Sequence, residues 1–392
     1  MKPNKMTKKT LLIVLDPLPV GYSVQFKFLI SLVNHFLPTY DITLYSNFIA
    51  EEKSVILSQM GAKVLKKESP LILGFIKGIF FTKLNESLLW GVNWFFDLLA
   101  LKVRKKDEVE NIEGFDITLN ISSTIICESS ILWVQGPPFF EVVESMVSTN
   151  LLARIFLKIF HGPLKNASKQ IVNALAIHSK TIVANSKYIF QKYSSLNLKV
   201  DAVVYSSTNN FEGFTPAMNN YLVKYVLTYI GKETDIEVLN SMARDNINVI
   251  GFGSKLPPGV NVAMLRKNIK YLGSVSEIEL VKLYRNALFV AFPFTSEPFG
   301  LIPIESMLCG TPVLTYNKEG PSETVINGET GWLVNSREEF LTKAKEIWEN
   351  GKTGISKDVC VNRGREFTFD SKIVYLDKII AEEDKIAIYS NS

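Results

Sequence analysis

Cysteine and histidine are scarce in this chain, which has three of each among 392 residues. Cys127, Cys309 and Cys360 lie far apart, and no two of them form a Cys-x-x-Cys pair. A disulfide framework needs several cysteine pairs, and a zinc site is typically marked by closely spaced cysteine or histidine ligands. The sequence therefore argues against both and favours a reducing compartment.

Signals of several other protein classes are missing as well. The net charge is only +4, and no dense Lys/Arg stripe with interleaved aromatic residues is present, so we expect no nucleic-acid partner. The apolar run 11–15 after the basic start is too short for a signal peptide, which favours a cytoplasmic protein. Gly251 and Gly253 are followed by Leu256, so a Gly-x-Gly-x-x-Gly dinucleotide motif is not formed.

Short apolar runs alternate with helical patterns along the chain, which is typical of βαβ units and parallel sheets. A first series of predicted strands covers 11–15, 42–46, 62–65, 116–119, 131–134, 181–184 and 200–205. A second series covers 223–230, 247–251, 269–272, 288–292, 312–315 and 331–334. These patterns predict an α/β protein with two doubly wound, Rossmann-like domains facing across a cleft.

Turn-forming residues between the two series mark the domain boundary. We predict an N-terminal domain over 1–207 and a C-terminal domain over 208–368. A helical segment over 369–392 is expected to pack back on the N-terminal domain.

The most informative stretch runs from Ser296 to Glu305, Ser-Glu-Pro-Phe-Gly-Leu-Ile-Pro-Ile-Glu. It follows a buried-strand pattern and leads into a helix, so Glu297 lies in the connecting loop and Glu305 one turn into the helix. Such connections are where open α/β sheets bind ligands, and a helix N-terminus suits a phosphate. Carboxylates accept hydrogen bonds from diols, so the pattern fits a ligand with both phosphate and hydroxyl groups. A nucleotide-sugar has both.

The segment 296–334 resembles the signature of retaining glycosyltransferases of the family 4 type, also called glycosyl transferases group 1, which have the GT-B fold. The resemblance is strong over 270–335 and weaker over 10–350. It consists of the two glutamates with Phe-Gly between them, Gly310-Thr-Pro-Val313, Gly320-Pro-Ser-Glu323 and Gly328-Glu-Thr-Gly-Trp-Leu-Val334. The resemblance implies two Rossmann-like domains, an N-terminal, acceptor-side domain over 1–207 and a C-terminal domain over 208–368 that binds the nucleotide-sugar. It also implies transfer of a sugar from a nucleoside diphosphate.

The resemblance also implies roles for the residues of this loop. Glu297 would hold hydroxyls of the donor sugar and act in catalysis, and Glu305 would bind the ribose diol. The donor sugar and phosphate would be held by the backbone amides of Phe299, Gly300, Leu301 and Ile302.

Cations for the diphosphate are fewer than the family pattern offers. Gly231 and Lys232 stand where the family has Gly-Arg, and acidic residues follow in place of a second cation. We expect Lys232 to act on the departing diphosphate and Lys255 to supply a second charge. The alternative for both lysines is a solvated surface position.

Four further loops complete the predicted donor site and begin the acceptor site. Gly21, after the first strand, resembles the family's glycine-rich loop, although an ordinary strand-to-helix turn is the alternative. Ser274 and Val275 resemble the loop that contacts the nucleobase. Gln135 stands near the position where related enzymes carry a histidine, and glutamine can bind sugar hydroxyls but cannot act as acid or base. His161 would enter the cleft from another loop, or else serve structure.

The predicted activity is therefore a retaining glycosyltransferase of hexosyltransferase type, using a UDP- or GDP-linked sugar. The sequence contains no Asp-x-Asp pair, so we expect neither a required metal nor a further cofactor. One alternative is a catalytically silent nucleotide-sugar-binding subunit, favoured by Gln135 and the few cations. Another is an epimerase or phosphorylase on the same fold.

The acceptor is predicted from the segment 71–106. Aromatic residues, including Trp90 and Trp94, precede a basic cluster that ends at Lys106. This combination suits peripheral contact with a lipid surface, whereas the alternative is a buried helix with a solvated basic end. We expect a glycan or lipid-linked acceptor met at the inner face of the cell membrane.

Overall fold

A computed structural model of the protein describes most of the chain. The described residues are 8–18, 24–66, 109–138, 140–141, 151–208, 224–254, 256–257, 260–351 and 354–390. Gly21, Lys255 and the segment 71–106, for which the sequence predicts roles, lie outside these residues.

The first half of the chain forms a parallel sheet. Its strands are β1 Lys9–Val14, β2 Tyr40–Ser46, β3 Lys63–Lys66, β4 Ile117–Asn120, β5 Ser129–Val134, β6 Ser179–Ala184 and β7 Ala202–Val203. They lie in the order β3-β2-β1-β4-β5-β6-β7. The direction of strand succession therefore reverses between β1 and β4, as in doubly wound folds.

The second half forms another parallel sheet. Its strands are β8 Val226–Tyr229, β9 Val249–Phe252, β10 Ile269–Tyr271, β11 Val290–Phe292, β12 Val313–Tyr316 and β13 Gly331–Val334. Their order is β10-β9-β8-β11-β12-β13, with the reversal between β8 and β11. The two predicted series of strands are thus confirmed, with ends shifted by one to three residues in most cases.

Helices connect the strands. They are α1 Val24–Phe36, α2 Glu51–Gln59, α3 Leu151–Ile177, α4 Lys187–Ser194, α5 Ile236–Arg244, α6 Glu277–Asn286, α7 Leu301–Leu308, α8 Pro321–Thr324, α9 Arg337–Asn350, α10 Lys357–Arg365 and α11 Phe369–Ser390. Serine side chains cap two of these helices: Ser276 accepts from the Glu279 N–H, and Ser336 accepts from the Glu339 N–H. These side chains satisfy N–H groups that lack intrahelical partners.

Each sheet has its own apolar core. Leu11, Ile13 and Leu44 are fully buried in the first, and Leu227, Val290 and Leu314 are fully buried in the second. Strands of a parallel sheet are covered on both faces, which explains why they appear in the sequence as continuous apolar runs.

Two chain segments connect the domains side by side. Thr208 N donates to Phe367 O at 3.2 Å, and Phe369 N donates to Thr208 O at 3.0 Å. Beyond this pairing, α11 contributes Leu376 and Ile380 to the core of the first sheet. The domain boundaries proposed from sequence stay predictions.

Candidate functional site

The candidate site lies at the carboxyl edge of the second sheet. The loop after β8 and the loop after β11 flank the point where the strand order reverses. Thr295 N, in the second loop, donates to Glu233 O at 2.7 Å, so the two loops are joined directly. Ligands of open α/β sheets bind at such a reversal. The structure thus brings together the regions of Lys232 and Glu297, as the sequence predicted.

Glu297 is held by the backbone of its own loop. Its Oε1 accepts from Gly300 N at 3.0 Å and from Phe299 N at 3.4 Å. Two of the four amides predicted to face the donor are therefore turned toward Glu297 in this structure. Leu301 and Ile302 begin α7, and the first N–H groups of a helix have no intrahelical acceptor. The N–H groups of Leu301 and Ile302 are therefore better placed to bind an anionic group than those of Phe299 and Gly300.

Glycines shape this loop. Gly300 has φ of +92°, a left-handed conformation that side chains rarely adopt. At Gly320 a Cβ would lie 2.1 Å from Phe299 Cα and 2.4 Å from Pro298 O, so the loop packs on bare backbone. Gly320 N also donates to Glu297 O at 3.2 Å. The signature segment Gly320-Pro-Ser-Glu323 thus supports the loop that carries Glu297.

The carboxyl group of Glu297 is strongly perturbed. Burial, with a smaller contribution from the nearby charge of Glu233, raises its pKa to about 8. The N–H groups of Phe299 and Gly300 and the charge of Lys232 oppose this shift. Such a perturbed carboxyl group in a cleft is typical of functional sites.

Glu305 lies on α7 and faces the segments that join the domains. Tyr284 OH, on α6, donates to Glu305 Oε2 at 3.0 Å. Burial raises the pKa of Glu305, which is about 7 after the hydroxyls of Tyr284 and Thr208 and the charge of Lys27 have lowered it. Glu305 thus contacts groups of its own predicted domain and is also influenced by the charge of Lys27, in the first domain.

The loop after β8 is compact. Gly231 N donates to Thr234 Oγ1 at 2.9 Å, and a Cβ at Gly231 would lie 2.3 Å from the ring of Tyr229. Asp235 is buried and pairs with Arg337 at 2.6 Å, so this acid has its own cation. Lys232 is exposed at the edge of the site.

The loops after β9 and β10 extend the same edge. Gly253 N donates to Gly273 O at 3.0 Å, and Tyr271 OH donates to Gly253 O at 2.5 Å. Ser274 is exposed and Val275 is half-buried directly beyond this junction. From β11 to β10 there are three inter-strand spacings, about 14 Å in total. The predicted sugar and base contacts are thus separated along the carboxyl edge of the sheet.

Gln135 lies on the first-domain side, in the loop after β5. Its side chain accepts from Ser206 Oγ at 3.3 Å and donates to Trp133 O at 3.4 Å. At the next residue, Gly136, a Cβ would lie 3.9 Å from Pro298 Cγ, which is ordinary packing distance. The structure therefore places the Gln135 loop against the Glu297 loop.

His161 is not in a loop, contrary to the sequence expectation. It lies within α3, which continues through Pro163 to Ile177. The side chain is exposed, and its ring stands edge-on to Phe140 at 5.0 Å between centroids. Proline lacks only its own N–H and distorts the helix locally, so a long apolar helix can include one.

Several residues that build the site carry no sequence signal by themselves. Glu319, with φ of +53°, accepts the Glu297 N–H on its Oε2 at 2.5 Å. Tyr229 lies among Glu233, Glu297 and Glu305, whose charges add to burial in raising its pKa. Only the positions of neighbouring loops reveal these contacts.

Two properties of the described residues bear on the predicted partners. No helix among them is both long enough and apolar enough to cross a membrane. Across the same part of the chain, no group of three or more His, Cys, Asp or Glu side chains is placed to hold a metal ion.

Solved structures of similar fold define the class. A sucrose-phosphate synthase from Thermosynechococcus elongatus superimposes with a TM-score of 0.66 at 14% identity, covering 98% of this chain and 100% of that one. Anabaena Alr3699/HepE in complex with UDP-glucose gives a TM-score of 0.60 at 15% identity, covering 95% and 98%. The fold is the two-domain GT-B fold that the sequence predicts.

A known family matches the segment that carries the site. Residues 260–367 match the family described as glycosyl transferases group 1, in agreement with the group that the sequence resembles. An alpha-1,3/1,6-mannosyltransferase from Neurospora crassa is 51% identical over 51 residues. That alignment covers 13% of this chain, which spans only 11% of the length of that relative.

Proposed function

We propose that this protein is a retaining glycosyltransferase that moves a sugar from a nucleoside diphosphate to a hydroxyl acceptor. The observation that carries the proposal is the loop 297–300 with the first turn of α7. It presents a carboxylate, free helix N–H groups and a second carboxylate, Glu305, at the strand-order reversal. This arrangement suits a ligand with an anionic centre between two sets of hydroxyl groups.

The donor would lie along the carboxyl edge. Glu297 would bind hydroxyls of the transferred sugar, and the Leu301 and Ile302 amides would bind the diphosphate. Glu305 would bind the ribose, and Ser274 and Val275 would contact the base. Support comes from the order of these loops along the sheet, since Ser274 follows β10 and Glu297 follows β11. A uridine or guanosine diphosphate sugar has the components for this edge.

The chemistry would be supplied mainly by electrostatics. As the bond to the diphosphate breaks, negative charge grows on the leaving group and positive charge grows at the anomeric carbon. Lys232 and the α7 N-terminus would stabilise the negative charge on the leaving group. Glu297 in its ionised form would stabilise the positive charge at the anomeric carbon. In this account the leaving phosphate takes the acceptor proton, so no further base is needed. The sequence offers no Asp-x-Asp pair for a metal.

A thermal-shift screen of nucleotide-sugars tests this proposal. At least one uridine or guanosine diphosphate sugar should raise the melting temperature, because a ligand that binds only the folded state stabilises it. The same sugar should be hydrolysed slowly without acceptor. A screen in which no nucleotide-sugar shifts the melting temperature would refute the proposed function.

A catalytically silent binding subunit is the second candidate. Gln135, at the position where related enzymes carry histidine, is held by Ser206 and the Trp133 carbonyl and has no acid–base chemistry. Binding of a nucleotide-sugar without any hydrolysis or transfer would favour this candidate over the enzyme.

For the acceptor we propose a lipid-linked glycan met at a membrane surface through 71–106. The support is the sequence alone, with aromatic residues beside a basic cluster. Each basic residue near an anionic surface contributes about 1 kcal/mol, so attachment would be reversible and sensitive to salt. Co-sedimentation with anionic liposomes at low salt tests it. Protein that stays in the supernatant would point to a soluble acceptor.

A further inference from the structure

A glutamate of the second domain binds the start of a helix in the first domain. Glu323, on α8, accepts from Tyr188 N through Oε1 at 2.7 Å and from Lys187 N through Oε2 at 2.9 Å. These N–H groups belong to the first turn of α4, where no intrahelical acceptor exists. A carboxylate at a helix N-terminus makes charge-assisted hydrogen bonds and is favoured by the helix dipole. We call this contact the inter-domain clamp.

The cap of the same helix reaches the donor loop. Ser186 is fully buried and accepts from Ile189 N at 3.1 Å as the N-cap of α4. Its Oγ also donates to Pro298 O at 2.8 Å. Pro298 stands between Glu297 and the Phe299 amide. The first turn of α4 thus binds both α8 and the loop that carries Glu297.

The clamp comes in addition to a local cap. Ser186 satisfies the Ile189 N–H from within the first domain, whereas Glu323 satisfies the Lys187 and Tyr188 N–H groups from a distant part of the chain. The position of Glu323 is fixed, because Arg363 donates to Glu323 O at 2.7 Å and to Thr324 O at 2.9 Å. Tyr205 lies beside the carboxylate of Glu323 and packs its ring on Phe299 at 5.6 Å between centroids.

We infer that Glu323 is a positioning residue, which docks the first domain on the loop 297–300 and fixes the arrangement of Glu297. When the clamp opens, we expect the first turn of α4 to shift and to weaken the hydrogen bond from Ser186 Oγ to Pro298 O. The amides of Phe299 and Gly300 donate to Glu297 within the second domain, so the Ser186 bond is a direct tie between their loop and the first domain. The effect on the loop follows from the contacts alone, while any effect on sugar transfer rests on the proposed function.

Hydrogen exchange of the ligand-free full chain tests this inference. In Glu323→Gln, the amide oxygen can accept one N–H, but the NH₂ group opposes the other. We expect amide exchange about tenfold faster in peptides covering 184–193 and also in peptides covering 294–304. The matched control is Glu329→Gln, which removes an exposed carboxylate from the same part of the domain. It should leave both regions unchanged.

Lys187→Pro provides an independent variant that leaves Glu323 intact. It removes one donor of the clamp at the first helical position, where proline is accepted. Ser186 has φ of −160° and ψ of 163°, an extended conformation that suits a residue before proline. Faster exchange in 294–304 in both variants supports positioning. If only 184–193 changes, or neither region changes, Glu323 is at most a helix cap and the inference is wrong.

The hydrogen-exchange experiment can fail or succeed independently of the proposed function. If UDP and GDP both fail to bind the wild-type protein in calorimetry, the proposed function fails, but the exchange experiment still decides on the clamp. If either nucleotide binds, Glu323→Gln should lower kcat for donor hydrolysis more than it weakens that nucleotide. A purely structural role would not produce this split.

Discussion

Tyr284 OH donates a 3.0 Å hydrogen bond to Oε2 of Glu305. Tyr284 is fully buried on α6, so the carboxylate of Glu305 is oriented from inside the second domain. A carboxylate has about four acceptor sites, so Glu305 keeps capacity for a ligand beyond its hydroxyl partners. This arrangement gives Glu305 a fixed direction, as expected for a group that recognises a diol.

Substitution of the two glutamates should have different effects. Glu305→Ala should weaken donor binding by about 1–3 kcal/mol, since it leaves the partner hydroxyls unmatched. Glu297→Ala should reduce kcat of donor hydrolysis more than donor affinity, because its role is tied to the reacting sugar. Steady-state kinetics measures both. Equal and small effects would contradict the division of roles.

Lys232→Ala should raise KM for the donor and lower kcat, because its charge acts on the bound and on the departing diphosphate. Lys345→Ala, which removes an exposed lysine from α9, is the matched control and should leave both constants unchanged. Full activity of Lys232→Ala would place the phosphate cation elsewhere, with Lys255 the next residue to test.

The raised pKa of Glu297 predicts a pH-dependent stability. Its pKa is about 8 in the folded protein against an ordinary value of 4.5. Between these values the folded state keeps a proton that the unfolded state loses. The stabilisation from this group is therefore complete below about pH 4.5 and is lost as the pH rises through about 8.

Thermal melts at a series of pH values test this sign. Glu297→Gln does not titrate, so the wild type should lose melting temperature relative to the variant between about pH 5 and pH 8. Glu329→Gln serves as the control for loss of an exposed carboxylate. Parallel curves for the wild type and Glu297→Gln would show that Glu297 is ionised throughout this range.

Gly320→Ala should displace the donor loop. Its Cβ would lie 2.1 Å from Phe299 Cα, and backbone has to move to relieve that contact. We expect lower stability and loss of donor binding. Gly162→Ala is the control, since its Cβ meets nothing within 4 Å and alanine favours a helix by about 1 kcal/mol. If Gly320→Ala still binds the donor, donor binding does not depend on the position of this loop, and the prediction is wrong.

Sequence patterns predicted the strands and the loop that joins β11 to α7, because buried parallel strands are continuous apolar runs and the glutamates flank one connection. The pattern could not show that Phe299 and Gly300 donate to Glu297, since this depends on a left-handed glycine. Nor could it place His161, where a helix continues through a proline. Glu323 belongs to the sequence signature, but its partners Lys187 and Tyr188 are distant in the chain, and the same holds for Glu319 and Glu297, so the sequence could not reveal these contacts.

A crystal structure of the protein with UDP or GDP bound tests the central claim most directly. The account predicts that a ribose hydroxyl lies within hydrogen-bond distance of the Glu305 carboxylate. It also predicts diphosphate oxygens at the Leu301 and Ile302 amides, with the base near Ser274 and Val275. A nucleotide bound away from the carboxyl edge of the second sheet would contradict it.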